Sequence, residues 1–109
     1  MATTYKVLGQ VNPSATTATT LYTTPSSTST VVSTISVCNQ ASSAATFRIA
    51  VRPAGETLAA KHYIVYGATV PASDSTMITV GLTLATTDVV TVYASSANLS
   101  FNAYGSEIA

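Results

Sequence analysis

The sequence predicts an all-β protein: a single β-sandwich of about eight strands with jelly-roll or immunoglobulin-like topology. Threonine and other β-branched residues dominate, whereas the good helix formers Glu, Lys and Gln are scarce. Apolar residues recur at a period of two more convincingly than at the helical period of about 3.6. Segments of this kind return about every ten to fourteen residues, separated by residues typical of turns, as in sandwiches and small barrels.

The first strand is predicted at Tyr5–Val11, and it ends at Pro13 because proline has no N–H to donate to a strand ladder. One face of this strand is expected to carry Tyr5, Val7 and Val11. A second strand is predicted over Thr16–Thr24, mainly from β-propensity. Its Thr/Ala-rich composition leaves the register of this strand open.

The third and fourth strands carry the strongest hydrophobic patterns. Thr30–Asn39 is apolar on both faces, which predicts an interior strand of a sandwich. Its expected faces are Val31, Ile35 and Val37 on one side, and Val32 and Cys38 on the other. Ala45–Arg52 alternates strictly, which is typical of a half-buried strand. Its expected inward side chains are Phe47, Ile49 and Val51.

Four further strands are predicted in the second half of the chain. They are Lys61–Val70, which we expect to break at Gly67, the short Met77–Val80, Val89–Ala94 and Leu99–Tyr104. No linker, composition shift or repeat divides the chain, so residues 1–109 are predicted to form one domain. Residues 1–12 are expected to form either an N-terminal arm or the first strand.

Charge and composition exclude several function classes. The 109 residues include 34 serines and threonines but only eight charged side chains, and the net charge is zero. We therefore expect no nucleic-acid partner, because no positive field attracts phosphates. No apolar run reaches the roughly 18 residues needed to span a bilayer, and the first residues lack the apolar stretch of a signal peptide, so neither membrane insertion nor signal-dependent secretion is expected. One cysteine excludes an intramolecular disulfide framework.

The inventory of reactive side chains predicts no enzyme, no cofactor and no metal site. The single histidine, His62, lies on a predicted strand, and its pairing with Cys38 as a nucleophile and base is the only dyad available. We expect Cys38 to be buried and His62 to be structural. The four acidic residues are interpreted as turn acceptors or solvated charges: Glu56, Asp74, Asp88 and Glu107.

The shortage of charge predicts a surface used for association. A chain of this mass exposes about 5,700 Å² when folded, so its charges are spread at roughly one per 700 Å². Sparse and balanced charge favours association over colloidal repulsion. Arg48, Arg52 and Lys61 are candidates for a basic patch that binds another subunit or an acidic surface, the alternative being ordinary solvated side chains.

Several segments together resemble a known group of proteins. They are Lys6–Pro13, Phe47–Gly55, Lys61–Tyr63, Asp88–Ala94 and Asn98–Phe101. As a set they resemble small β-rich proteins of tailed bacteriophages, cyanophages among them, that are virion structural components. The resemblance runs nearly end to end, but it consists of strand and turn segments and supplies no binding residues.

The resemblance implies a non-enzymatic virion protein, assembled in the bacterial cytoplasm. Such a capsid decoration or cement protein sits between capsid subunits, often as a homotrimer, so its partners are copies of itself and the major capsid protein or other virion proteins. The alternatives are a neck, tail, baseplate or fibre component and, from a different class, a carbohydrate- or host-receptor-binding module. In the last case Tyr63, Tyr66 and Tyr93 supply the binding platform.

Overall fold

The structure, a computed structural model, describes residues 2–109 and consists of eight strands in two four-stranded antiparallel sheets. The strands are β1 (Thr3–Val11), β2 (Thr19–Thr23), β3 (Ser29–Asn39), β4 (Ala45–Arg52), β5 (Tyr63–Val70), β6 (Ser75–Leu84), β7 (Val89–Ala94) and β8 (Leu99–Ile108). The predicted all-β sandwich is confirmed. In the described part of the chain, helical structure is limited to two single 3-10 turns, Pro53–Gly55 and Ala60–His62, both between β4 and β5. Neither is long and apolar enough to cross a membrane.

The strand order identifies the sandwich as a jelly roll. The front sheet has the order β1-β8-β3-β6 and the back sheet the order β2-β7-β4-β5. Each strand of the first half therefore pairs with its counterpart in the second half: β1 with β8, β2 with β7, β3 with β6 and β4 with β5. This is one long hairpin, with its turn between β4 and β5, rolled up so that alternate strand pairs fall into opposite sheets. An immunoglobulin-like order would group the strands differently.

The core lies between the sheets and is built from inward-facing residues of both sheets, most of them on the interior strands. Phe47 of the back sheet and Phe101 of the front sheet meet edge to face, with ring centroids 6.1 Å apart. The other large apolar side chains that are fully buried are Ile35, Ile49, Leu99, Val32, Val37, Val70, Val90 and Val92. Burying one such side chain contributes about 1.5–3 kcal/mol, so this layer is the main source of stability.

The bounds of β4 and β7 match the predicted ones, whereas other strands differ. β6 runs from Ser75 to Leu84, longer than predicted, because Gly81 lies inside the strand at an irregularity and adopts a φ of 59°. β5 likewise continues through Gly67, which has a φ of 81°. Glycine adopts these left-handed conformations without steric cost, so it bends a strand without ending it. β2 is shorter than predicted, and β8 extends four residues beyond Tyr104.

Bulges make two of the predicted faces wrong. The register of β3 shifts at Ser33, so Val32, rather than Val31, shares the core face with Ile35 and Val37. The register of β1 shifts at Leu8. As a result Val11 faces the core, opposite Phe101, while Tyr5 and Val7 lie on the outer face. One inserted residue reverses every later side chain of a strand.

One edge of the sandwich closes by a close backbone approach at Gly9. A Cβ atom at position 9 would clash with the carbonyl oxygen of Leu21 in β2. Glycine therefore lets β1 of the front sheet reach β2 of the back sheet. Residues 3–11 form an edge strand paired with β8.

Candidate functional site

Among residues 2–109, the outer face of the front sheet carries no charged side chain. Directly opposed residues of antiparallel strands share a face, and the register places this surface in five rows across the sheet. We call it the neutral face: Thr3, Tyr5, Val7 and Gln10 of β1; Ser29, Val31, Thr34, Ser36 and Cys38 of β3; Ser75, Met77, Thr79 and Thr83 of β6; and Ser100, Asn102, Tyr104, Ser106 and Ile108 of β8. Its side chains are hydroxyl-bearing or apolar, apart from two amides and one thiol.

Large apolar side chains stand exposed on the neutral face. Tyr5 is 83% exposed, Met77 66%, Val7 47% and Tyr104 38%. The molecule measures 45 by 28 Å along its two longest axes. A face of this size accommodates the roughly 800 Å² that each partner contributes to a standard protein interface. Its chemistry, with apolar anchors among neutral hydroxyls, suits a protein partner whose contact does not depend on salt.

The ion pair between β1 and β8 lies on the other side of these strands from the neutral face. The Lys6 ammonium lies 3.0 Å from Glu107 Oε1, on the opposite side of β1 from Tyr5 and Val7. The Tyr22 hydroxyl, from the back sheet, donates to the other carboxylate oxygen at 2.6 Å. It also lies 2.8 Å from the Thr30 hydroxyl. Glu107 is therefore part of a network between the sheets, rather than the turn acceptor or solvated charge that was predicted.

The pKa values in this network follow from its hydrogen bonds. The Tyr22 hydrogen bond, reinforced by Lys6, holds the pKa of Glu107 below its ordinary value. Burial, followed by the bond to Glu107, raises the pKa of Tyr22 to about 12. At neutral pH the network is therefore a carboxylate held by a neutral phenol and an ammonium group.

The outer face of the back sheet has a different chemistry, centred on Arg48. Arg48 of β4 is paired with Tyr93 of β7 on one side and with Tyr66 of β5 on the other. Its guanidinium carbon lies 4.2 Å from the centroid of each tyrosine ring. Tyr63 packs edge to face against Tyr66 at 4.9 Å. We call these four residues the tyrosine–arginine cluster.

A bulge brings Tyr63 and Tyr66 to the same face. Residues three apart in a regular strand point to opposite faces, but the register between β4 and β5 shifts at Ile64. Tyr63 therefore lies opposite Ala50, and Tyr66 opposite Arg48, both on the outer face. An open groove of about 660 Å³ runs beside the two tyrosines. Its remaining lining residues are Leu58, Ala59 and Ala60 of the β4–β5 connection.

The three predicted interface residues all lie on the back-sheet side, but they have different contacts. Arg48 contacts the rings of Tyr66 and Tyr93. Arg52 donates to Thr91 Oγ1 and to the carbonyls of Gly55 and Glu56, so it fastens the β4–β5 connection to the sheet. Lys61 is exposed, with its ammonium 3.7 Å from Glu56 Oε1.

His62 supports the same connection. It lies in a 3-10 turn and is buried, rather than on a strand as predicted. Its Nδ1 accepts a hydrogen bond from the Ala59 N–H, so the neutral ring carries its proton on Nε2, which faces Glu56 Oε1 at 3.1 Å. The bond from His62, followed by the charge of Lys61, holds the pKa of Glu56 below its ordinary value.

The structure does not assemble the catalytic dyad considered from the sequence. Cys38 lies on the neutral face of the front sheet, half-buried rather than buried, while His62 lies beside the back sheet and is bonded to Ala59 and Glu56. Asp88 is a turn acceptor as predicted, receiving the N–H groups of Ala54 and Ala85. Within residues 2–109, no three His, Cys, Asp or Glu side chains cluster to hold a metal ion.

Sequence reasoning identified the three tyrosines but missed their arrangement around Arg48 and the neutral face. The alternation in β4 does place Arg48 outward, but the partner of an outward residue depends on strand order, which local patterns do not specify. No protein-family model matches the chain, and no curated protein is found to match it.

Proposed function

We propose that this protein is a non-enzymatic structural component of a phage virion: a capsid decoration or cement protein that binds the head shell and assembles as a homotrimer. The observation that carries the proposal is the neutral face, a wide sheet surface with exposed apolar anchors and, in the described part of the chain, no charged side chain. In the proposed role this face lies against a capsid subunit.

The fold and composition support such a role. An eight-stranded sandwich is a rigid plate, and jelly rolls recur in viral capsid domains. A neutral hydroxyl-rich contact keeps its strength over a wide range of salt, because screening acts on charges. Many copies on one shell turn a modest contact into a stabilising one through multivalency.

The proposal is tested by a matched pair of charge insertions. Thr79→Lys places a cation on the neutral face in β6, an edge strand of the front sheet, and Thr69→Lys places one on the outer face of the back-sheet edge strand β5. Both threonines are exposed, so both variants should fold. Burying an unpaired ammonium in an interface costs several kcal/mol, so we expect Thr79→Lys to weaken binding to capsids at least tenfold.

The measurement is co-sedimentation of purified protein with capsids that lack it, with analytical ultracentrifugation to determine the oligomer. Thr69→Lys should bind within about twofold of wild type, since its face is free in the proposed complex. Equal loss in both variants would exclude the neutral face as the contact. Absence of the chain from purified virions would overturn the proposal. A handful of copies at the neck or tail by electron microscopy would replace the head position with one of those.

A further inference from the structure

We infer that the tyrosine–arginine cluster and the groove beside it form a binding site for an acidic saccharide, with Arg48 as the carboxylate-binding residue. The site is on the back sheet, on the far side of the sandwich from the neutral face, so it does not depend on the virion role and remains accessible if that role is correct.

Arg48 is the group that selects a carboxylate. Its guanidinium carbon lies 4.2 Å from the centroids of two tyrosine rings, one on each neighbouring strand, and these cation–π contacts hold the cation in place. Its guanidinium carries five N–H donors in one plane, and Arg48 is half-buried. Among residues 2–109 no acceptor hydrogen-bonds to the Arg48 side chain and no carboxylate forms an ion pair with it. A stacked arginine with an unused edge is suited to bidentate recognition of a carboxylate.

The local charge balance favours an anionic ligand. Three of the four basic residues of the chain are on this side of the sandwich, namely Arg48, Arg52 and Lys61. The carboxylates nearby are already engaged: Glu56 faces His62 and Lys61, and Asp88 accepts two backbone N–H groups. The charge that remains available to a ligand is therefore positive.

The groove favours a sugar ring over a small anion. Tyr66 is 65% exposed, and with Tyr63 it presents aromatic surface to a groove of about 660 Å³. This volume is within the range of about 300–1,000 Å³ typical of ligand sites. The C–H-rich face of a pyranose stacks on such rings, while its hydroxyls reach the tyrosine hydroxyls at the rim. Ala59 and Ala60 also line the groove, and their small side chains leave room for a sugar ring.

The direct test is isothermal titration calorimetry of the 109-residue chain with three trimeric probes. They are tri-galacturonate, its fully methyl-esterified form and tri-glutamate. The ester keeps the rings and removes the charge, whereas tri-glutamate keeps the charge and removes the rings. We expect tri-galacturonate to bind at least tenfold more tightly than either of the others. Equal binding of the ester would exclude Arg48 as the carboxylate-binding residue, equal binding of tri-glutamate would indicate an acidic peptide site, and absence of binding would overturn the inference.

Variants locate the site. Arg48→Met keeps the aliphatic stem between the rings and removes the guanidinium, so we expect at least a tenfold loss of affinity for tri-galacturonate. Tyr66→Ala removes the groove wall and should lower the affinity for both the acid and its ester. Lys61→Met is the matched control, since it removes one nearby cation that does not stack on the rings, and its effect should be within about threefold. Thermal unfolding confirms that each variant is folded. If Lys61→Met lost as much affinity as Arg48→Met, the ligand would be held by diffuse electrostatic attraction and not at a defined site, and the inference would be wrong.

Discussion

At the scale of single residues, buried polar side chains determine where the connections sit. Asn39, at the end of β3, is 1% exposed and has every side-chain group satisfied. Its amide nitrogen donates to the carbonyls of Ser43, Val70 and Pro71, and its oxygen accepts the Ala41 N–H. One side chain thereby fastens the β3–β4 connection to the β5–β6 connection, at the end of the sandwich.

Asn39→Asp tests this interpretation because it changes a donor into an acceptor without changing its size. An ionised carboxylate keeps the Ala41 N–H on one oxygen but turns the other toward three carbonyls with no donor. We therefore expect a loss of about 3 kcal/mol or more in the free energy of unfolding at pH 7. This environment raises the folded-state pKa of the introduced Asp above the unfolded one. The penalty should therefore shrink as the pH falls through the folded-state pKa and the carboxyl regains a proton to donate.

Urea denaturation of both proteins between pH 3 and 8 measures that difference. Gln40→Glu is the control, since it introduces the same charge at the next, exposed position and should change stability by about 0.5 kcal/mol or less. If the two variants lose equal stability at pH 7, the amide network of Asn39 does not hold this end together.

At the scale of elements, regular alternation was predictable and its interruptions were not. The bounds of β4 and β7 follow from the sequence because their apolar patterns are uninterrupted and turn residues flank them. The bulges at Leu8, Ser33 and Ile64 leave no comparable signal, because an extra residue in one strand is defined by the partner strand. These same bulges expose Tyr5 and Val7 and bring the cluster tyrosines together, so both candidate surfaces depend on features that local patterns do not reveal.

The connection between the two sheets at Tyr22 gives a pH-dependent prediction. Tyr22→Phe removes the phenol that holds Glu107, and we expect it to cost about 1–3 kcal/mol at pH 7, as for hydrogen bonds to charged groups. Because the folded-state pKa of Glu107 is lowered, this stabilisation is present above the unfolded pKa and is lost as the pH falls through the folded one. The pKa of Tyr22 is raised to about 12, so wild type should also lose stability between about pH 10 and 12, and the variant should lack that step.

Equilibrium unfolding in urea, from acidic pH where Glu107 is protonated up to about pH 12, measures both transitions. Tyr104→Phe is the matched control, because Tyr104 lies on the neutral face and the network does not include its hydroxyl. It should follow the wild-type curve within about 0.5 kcal/mol. If the free energy of unfolding of Tyr22→Phe ran parallel to that of wild type at all pH values, the hydrogen bond between the phenol and Glu107 would not contribute to stability.

At the scale of the whole molecule, the rolled hairpin separates two surfaces of different chemistry. The neutral face belongs to the sheet that contains β1 and β8, and the tyrosine–arginine cluster to the sheet that contains β4 and β5. The few charged side chains are therefore unevenly distributed, since none of those in residues 2–109 lies on the outer face of the front sheet. The jelly-roll winding also pairs β1 with β8, the two strands that are farthest apart in sequence.

Joining residue 109 to residue 2 should speed folding. The backbones of Ala2 and Ala109 exchange hydrogen bonds of 3.0 and 2.9 Å, so a short Gly-Ser linker spans them without strain. Opening the chain in the exposed β5–β6 connection, at Ala72–Ser73, then gives a circular permutant in which β8 and β1 form a local hairpin. Because closing a long loop costs entropy before its contacts form, we expect a folding rate at least about threefold higher in stopped-flow refolding from urea. A second permutant opened within β3, which pairs on both sides, should fail to fold. A permutant at Ala72–Ser73 that folds no faster than the original chain would show that β1–β8 pairing forms after the rate-limiting step.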